Sequence, residues 1–356
     1  MEKRKNTNNR LAAWIVHKVK TEYSDDISLV VMYGSHINGT ASSKSDLDCY
    51  FVPKTQRGLN LAITFILDGV GYDLYPIFWE RLEQIADLQE GMSTLIGDVE
   101  ILYCGTPEEA ARFQALQNRL KHNLSDKEYV RNIAVKRLQE AGNLCPLLDR
   151  ARNISQARKL AGRIIMTLAD AVAVYNQDYF HRGLKKQFED LQYHFTNIPR
   201  SIVKDYQNAV ETEHIEDVIR YTKRMFDGVC DYLNVSYIPQ ETVHQEDFSH
   251  HPFNASILAG LYEEIRSTFL KIYDSCDTGN HILAFLAAVC LQWELDDATA
   301  YGIPSFDLLG HFSHNNLQRI SKATKNAETE LVQLITANGG HLRVFENFEQ
   351  FEAAFL

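Results

Sequence analysis

The chain has 356 residues, 45% of them hydrophobic and 11% aromatic, enough length for two or three domains and enough apolar side chains to pack them, which excludes disorder of the whole chain. Its formal net charge of −11 repels a phosphate backbone at long range and argues against bulk nucleic acid as the main partner, while leaving room for a local basic groove. The six cysteines form no C-x-x-C pair, so neither a zinc site nor a thioredoxin-like redox motif is indicated and most are expected as buried thiols.

In the first segment Leu11, Ile15 and Val19 share one helical face and no uninterrupted apolar signal core follows. The longest apolar run, Ile282 to Leu291, is ten residues, too short to cross a bilayer at about 1.5 Å per helical residue. A cytoplasmic protein with no membrane association is expected.

Ile27 to Tyr33 and Leu47 to Val52 read as paired strands, Leu59 to Leu67 as a helix, Val70 to Ile77 as a third strand and Val99 to Cys104 as a fourth. Thr106-Pro107-Glu108-Glu109 is a capping box that opens a helix to about Leu120, and Ser125-Asp126-Lys127-Glu128 opens another that ends near Pro146. Leu160, Ile164, Leu168, Val172 and Tyr175 recur at helical steps, so a long amphipathic helix is predicted between Ser155 and Phe180. Helical patterns continue at about 183–194, 200–211 and 214–234, and after a polar stretch from Val235 to Asn254 at about 255–275, 280–298 and 314–337. That stretch, with Pro239 and Pro252, reads as a linker. Its histidines His244, His250 and His251 match no metal-ligand spacing. The expected class is α+β, with a small mixed sheet and flanking helices in residues 1–122, a helical bundle and possible acceptor-binding domain in 123–236, and a further helical domain in 237–356.

The chemistry is concentrated in Gly34-Ser35-His36-Ile37-Asn38-Gly39-Thr40 and the following Ser45-Asp46-Leu47-Asp48. On a strand Asp46 and Asp48 project to one face while Leu47 and Cys49 face the other. Two such carboxylates suit one or two Mg²⁺ ions, which take hard oxygen ligands and keep positions for substrate phosphates. Asp73, in Gly71-Tyr72-Asp73-Leu74-Tyr75, can join them from a neighbouring strand and accept a proton from an incoming hydroxyl. Two ions about 3.5–4 Å apart would clamp both oxygens of an in-line phosphoryl displacement. Gly34 lets the backbone approach a phosphate, Ser35 can donate its hydroxyl, and Lys44 and Ser45 are further nucleotide contacts. Asp170, Lys185 and Lys186 are the candidates of the bundle.

Gly34-Ser35, Gly39-Thr40, Ser45-Asp46-Leu47-Asp48 and the later Asp73 together resemble the signature of the DNA polymerase β-like nucleotidyltransferase superfamily, over about residues 27–105. The resemblance implies a small mixed sheet flanked by helices, binding of ATP or another nucleoside triphosphate with Mg²⁺, Asp46, Asp48 and Asp73 as catalytic residues at the metal, and nucleotidyl transfer with release of pyrophosphate. A catalytic domain followed by a bundle is similar in layout to the aminoglycoside nucleotidyltransferases, and Leu168 to Asn176 with Tyr179 to Gly183 is similar to their bundle helices. That implies AMP transfer to a hydroxyl of a small-molecule acceptor and a possible homodimer. Protein- or RNA-modifying and antitoxin-like members, and a silent nucleotide-sensing module, remain alternatives. The helical part shows no continuous basic stripe with interleaved aromatics, the pattern an RNA acceptor requires.

Overall fold

A computed structural model describes residues 2–42, 44–237 and 251–355. Helix α1 (Glu2–Glu22) leads into β1 (Ile27–Met32), which pairs antiparallel with β2 (Cys49–Pro53), as the two apolar runs predict. Leu59 to Leu67 does not form a helix. A short 3₁₀ segment at Arg57–Leu61 gives way to β3 (Ile63–Leu67), which turns through Asp68-Gly69, both at positive φ, into β4 (Val70–Pro76). The β-branched Ile63, Thr64 and Ile66 favour the extended form, and a turn with two positive φ values matches the twist of a hairpin. Helices α2 (Trp79–Ala86) and α3 (Thr94–Gly97) precede β5 (Glu100–Cys104).

Helix α4 (Pro107–Ser125) starts at the predicted cap, with Thr106 Oγ1 accepting from the Glu109 N–H at 3.2 Å, but the Glu109 carboxylate pairs with Lys54 at 3.3 Å instead of closing the expected box. In α5 (Lys127–Asp149) the cap is Asp126 and not Ser125, whose hydroxyl donates instead to the His122 carbonyl in the last turn of α4. Pro146 sits inside α5: so close to the end it removes one backbone bond, and the helix runs on to bury Leu148. The expected long helix is α6 (Ile154–Tyr175). A 3₁₀ turn at Leu184–Lys186 and α7 (Gln187–Tyr193) follow, then α8 (Arg200–Glu211) and α9 (Ile215–Leu233). Most of the linker stretch, with His244 and His250, lies outside the described residues. Beyond it come α10 (Ala255–Asp277), α11 (His281–Ala298), α12 (Leu317–Ala337), a short strand β6 (Val344–Phe345) and α13 (Phe348–Ala354). Among the described residues no helix is long and apolar enough to cross a membrane.

The six strands form one mixed sheet in the order β5-β1-β2-β4-β3-β6, so the fold class is α+β with a small mixed sheet and a mainly helical remainder. Among the described residues only β2–β4 and β3–β6 are parallel. Leu11, Ile15 and Val19 of α1 and Phe348 and Phe351 of α13 cover one face, against Val30, Cys49, Phe51, Phe65 and Leu74. The other face is shared: α2, α3 and α4 cover Leu29, Val31, Tyr50 and Val52, while α10 packs on β3 and β4. A Cβ at Gly71 would stand 2.6 Å from the Glu263 carbonyl, so the bare glycine lets α10 lie against β4. Buried Glu263 fastens this contact, accepting from Thr64 Oγ1 (2.8 Å) and from the Arg343 backbone N–H (2.5 Å). One apolar cluster joins α5, α6, α8 and α9 to α10, α11 and α12, so helices from both sides of residues 238–250 share a core.

Candidate active site

Opposite Cys49, β1 ends at Met32, and Gly34 at φ 75° turns the chain away into a 3₁₀ turn at Gly34–His36. This leaves Ser45–Asp48 without a regular ladder partner, so Asp46 and Asp48 precede β2 instead of lying on it as the sequence suggests. One bond, Tyr33 N–H to the Asp48 carbonyl at 3.0 Å, keeps the segment extended, and the predicted alternation survives: Leu47 and Cys49 are buried in the α1 face while Asp46 and Asp48 are half-buried on the other. The Ser35 N–H donates to Asp48 Oδ2 at 3.3 Å, and a Cβ at Gly34 would collide with that carboxylate, so only glycine allows this approach. The Ser35 hydroxyl is buried and has no hydrogen-bond partner among the described residues.

Asp73 stands on β4. Cys49 pairs with Leu74 in the parallel register, so Asp73 lies beside Asp48 and by strand parity on the same face. The three acids are not equivalent. Asp46 and Asp48 line a cleft of about 1160 Å³ whose wall does not include Asp73. Burial raises the Asp48 carboxyl to about 7, with Asp46 adding to it and Lys271 and Lys185 opposing it. Burial likewise raises Asp46, against Lys271 and Lys185. Asp73 is raised to about 7 by burial, then by Glu264 of α10 and by Asp46.

No three His, Cys, Asp or Glu side chains among the described residues are gathered closely enough to hold a metal ion by themselves. Asp46 and Asp48 nonetheless fit Mg²⁺, which is commonly held by one or two carboxylates with phosphate oxygens and water completing its shell. Two half-buried carboxylates whose charge is disfavoured by burial are also the groups that gain most from a cation.

The remaining expected residues divide. Lys44 Nζ turns to α10, 3.3 Å from Asp277 and 3.6 Å from Asp274. Ser45 Oγ accepts from the Ser42 N–H (2.9 Å) and from Lys185 Nζ (3.2 Å), so it braces the loop and holds Lys185 beside the acids. Lys186 pairs with Glu189 at 2.6 Å, and Asp170 with Arg137 at 2.8 Å, which makes Asp170 a partner of a buried guanidinium.

Sequence reasoning missed the groups that hold the loop from behind. Asn8 of α1 donates through Nδ2 to the Asp46 carbonyl (3.2 Å) and to His36 Nε2 (2.7 Å), and its Oδ1 accepts from the Tyr72 hydroxyl (2.7 Å). Burial lowers the His36 ring, consistent with a neutral imidazole that accepts this bond. Tyr72 in turn accepts from Arg4 Nη1 at 3.1 Å. Arg4 and Asn8, two polar residues in helical step with the apolar stripe Leu11, Ile15 and Val19 of α1, were the available signal. Lys271 of α10, also missed, carries no motif at all.

No protein-family model matches the chain, and no curated protein matches it. Among solved structures, a nucleotidyltransferase-like protein from Exiguobacterium sibiricum 255-15 is similar over 81% of this chain and 92% of its own, at 11% identity and a TM-score of 0.35. So distant a likeness carries none of the functional argument, which rests on the site.

Proposed function

We propose that the chain is a nucleotidyltransferase that binds a nucleoside triphosphate, ATP in the first instance, at the junction of the Gly34-Ser35 turn with Asp46 and Asp48, and transfers its nucleoside monophosphate to a hydroxyl of a small molecule. The observation that carries this is the Ser35 hydroxyl: buried, unpartnered and next to a glycine pressed on a carboxylate, it is a donor prepared for a phosphate oxygen. In the reaction the acceptor oxygen bonds to the α-phosphorus as the bond to the bridging oxygen breaks. The electron pair leaves on pyrophosphate, and the hydroxyl proton passes to a carboxylate, in this reading that of Asp73. Mg²⁺ held by Asp46 and Asp48 would neutralise phosphate charge. The chain's own contribution is to aim Ser35 and the acids at one point and to keep them there through Asn8 and Tyr72.

The test is transfer of label from α-phosphate-labelled ATP, GTP, CTP and UTP, with Mg²⁺, to aminoglycosides, lincosamides, RNA and cell-extract proteins. Labelled product from one acceptor class is expected, and Asp48→Ala should abolish it with an unchanged circular-dichroism spectrum. Full turnover in that variant would remove the metal assignment. The position of Asp73 outside the cleft wall favours a second reading, nucleotide binding without turnover; Mg²⁺-dependent triphosphate binding with no product on any acceptor would support it.

A further inference from the structure

The loop that carries Ser35 is tied to the helical part of the cleft wall. Residues 38–42, with Lys44 and Ser45, line the cleft from the sheet, and His181, Lys185 and Asp274 line it from the helices. Three polar contacts join the two: Asn38 Nδ2 donates to the His181 carbonyl (3.1 Å), Lys185 Nζ donates to Ser45 Oγ (3.2 Å), and Lys44 Nζ stands 3.3 Å from Asp277 and 3.6 Å from Asp274 of α10. The anchors are firm, since His181 is held by Asp98 (2.8 Å) and Asp178 (2.9 Å) and α10 packs on β4. The loop has no comparable support. None of its described residues from Gly34 to Ser45 belongs to an apolar cluster. Its backbone bonds turn inward, Thr40 N–H to the Ser35 carbonyl (3.0 Å) and Ser45 N–H to the Ser42 carbonyl (3.3 Å). Gly39, at φ 75° with nothing within 4 Å of where a Cβ would stand, supplies a bending point. The Asp277 side chain is 63% exposed, so its pair with Lys44 forms and breaks in water. A segment held by a few such contacts opens far more easily than one that shares a core.

We propose that residues 38–42 with Lys44 and Ser45 form a strap, latched to the helical part through Asn38 and Lys44, and that ligand passes to and from the Ser35 site when the strap swings free. The ligand, a nucleoside triphosphate, rests on the nucleotidyl-transfer reading, whereas the latch does not. A latch differs in its kinetics from a contact made to the ligand. It slows entry and exit alike and leaves affinity almost unchanged, while a lost contact speeds exit and weakens binding.

The experiment has two arms on the full chain, with Asp277→Asn and Asn38→Ala as variants and thermal unfolding near that of wild type as the check that they fold. The first is free of ligand: trypsin should cut after Lys44, as mass spectrometry of the fragments shows, about threefold faster in either variant, because the latched ammonium is withheld from the protease. The second is stopped-flow binding and chase of methylanthraniloyl ATP with Mg²⁺ and no acceptor. Association and dissociation should both quicken about threefold in each variant, with Kd held within about twofold. Unchanged rates in both arms overturn the strap. Dissociation that quickens alone, with a matching loss of affinity, overturns it too, as does slower release from Asp277→Asn, in which a freed Lys44 would be gripping phosphate. If the wild type binds no nucleotide, the nucleotidyl-transfer reading falls, and the trypsin arm alone decides the latch: faster cutting keeps it and unchanged cutting removes it.

Discussion

At the residue scale the site carries an electrostatic cost, two carboxylates that burial holds above their ordinary range. The Asp48 carboxyl, at about 7 in the fold against 3.8 when exposed, opposes folding once ionised. The penalty is absent below about 3.8, grows as pH rises toward about 7 and is constant above. Asp48→Asn should therefore raise the melting temperature of the metal-free chain at pH 8 and change it little at pH 4, as scanning calorimetry at the two pH values would register. His181 has the opposite sign. Its bonds to Asp178 (2.9 Å) and Asp98 (2.8 Å) raise it from 6.5 to about 10. The stability from this charge is fully present below about 6.5 and fades as pH climbs to about 10. His181→Gln should lower the urea midpoint at pH 6 and leave it near wild type above pH 10. The side chain is 40% exposed, so solvent screening keeps the effect modest.

At the element scale the chain's last residues are structural. Phe351 of α13 is fully buried, with ring centroids 4.5 Å from Phe65 and 4.9 Å from Trp14. Phe351→Ala should cost about 3–5 kcal/mol, measured by urea unfolding followed through Trp14 fluorescence. The loop carrying Asp46 is held by a different device, the Arg4–Tyr72–Asn8 chain of hydrogen bonds. Elements with their own start signals were legible: the Thr106 cap and the periodic α6 stand where residue types put them. The segment 59–67 was misread because a short apolar run suits helix or strand equally, and the Asp68-Gly69 turn that decides it draws its force from the partner strand β4.

At the scale of the whole molecule, helices on both sides of residues 238–250 share one cluster, and β6 and α13 return to the sheet. Parts that share buried surface lose it together. Trp14 and Trp79 lie against the sheet's two faces and Trp293 in the helical cluster. Thermal unfolding followed by far-ultraviolet dichroism and by tryptophan fluorescence should give one coincident transition; separate midpoints would show units that melt apart.

The residue order alone determined the glycine turn, the alternation that sets Asp46 and Asp48 to one side, the sheet-then-helices plan and most helix limits, because each depends on neighbours a few residues apart. Only the tertiary structure decided that Asp73 stands outside the cleft wall, that Lys44 turns to α10, that Asn8 of α1 bonds the Asp46 carbonyl, and that the charge of Lys271 of α10 bears on the acids. Those placements follow from how close two backbones can approach, as at Gly34 and Gly71, and from which charges lack a partner once packed. Neither quantity exists until the chain has folded.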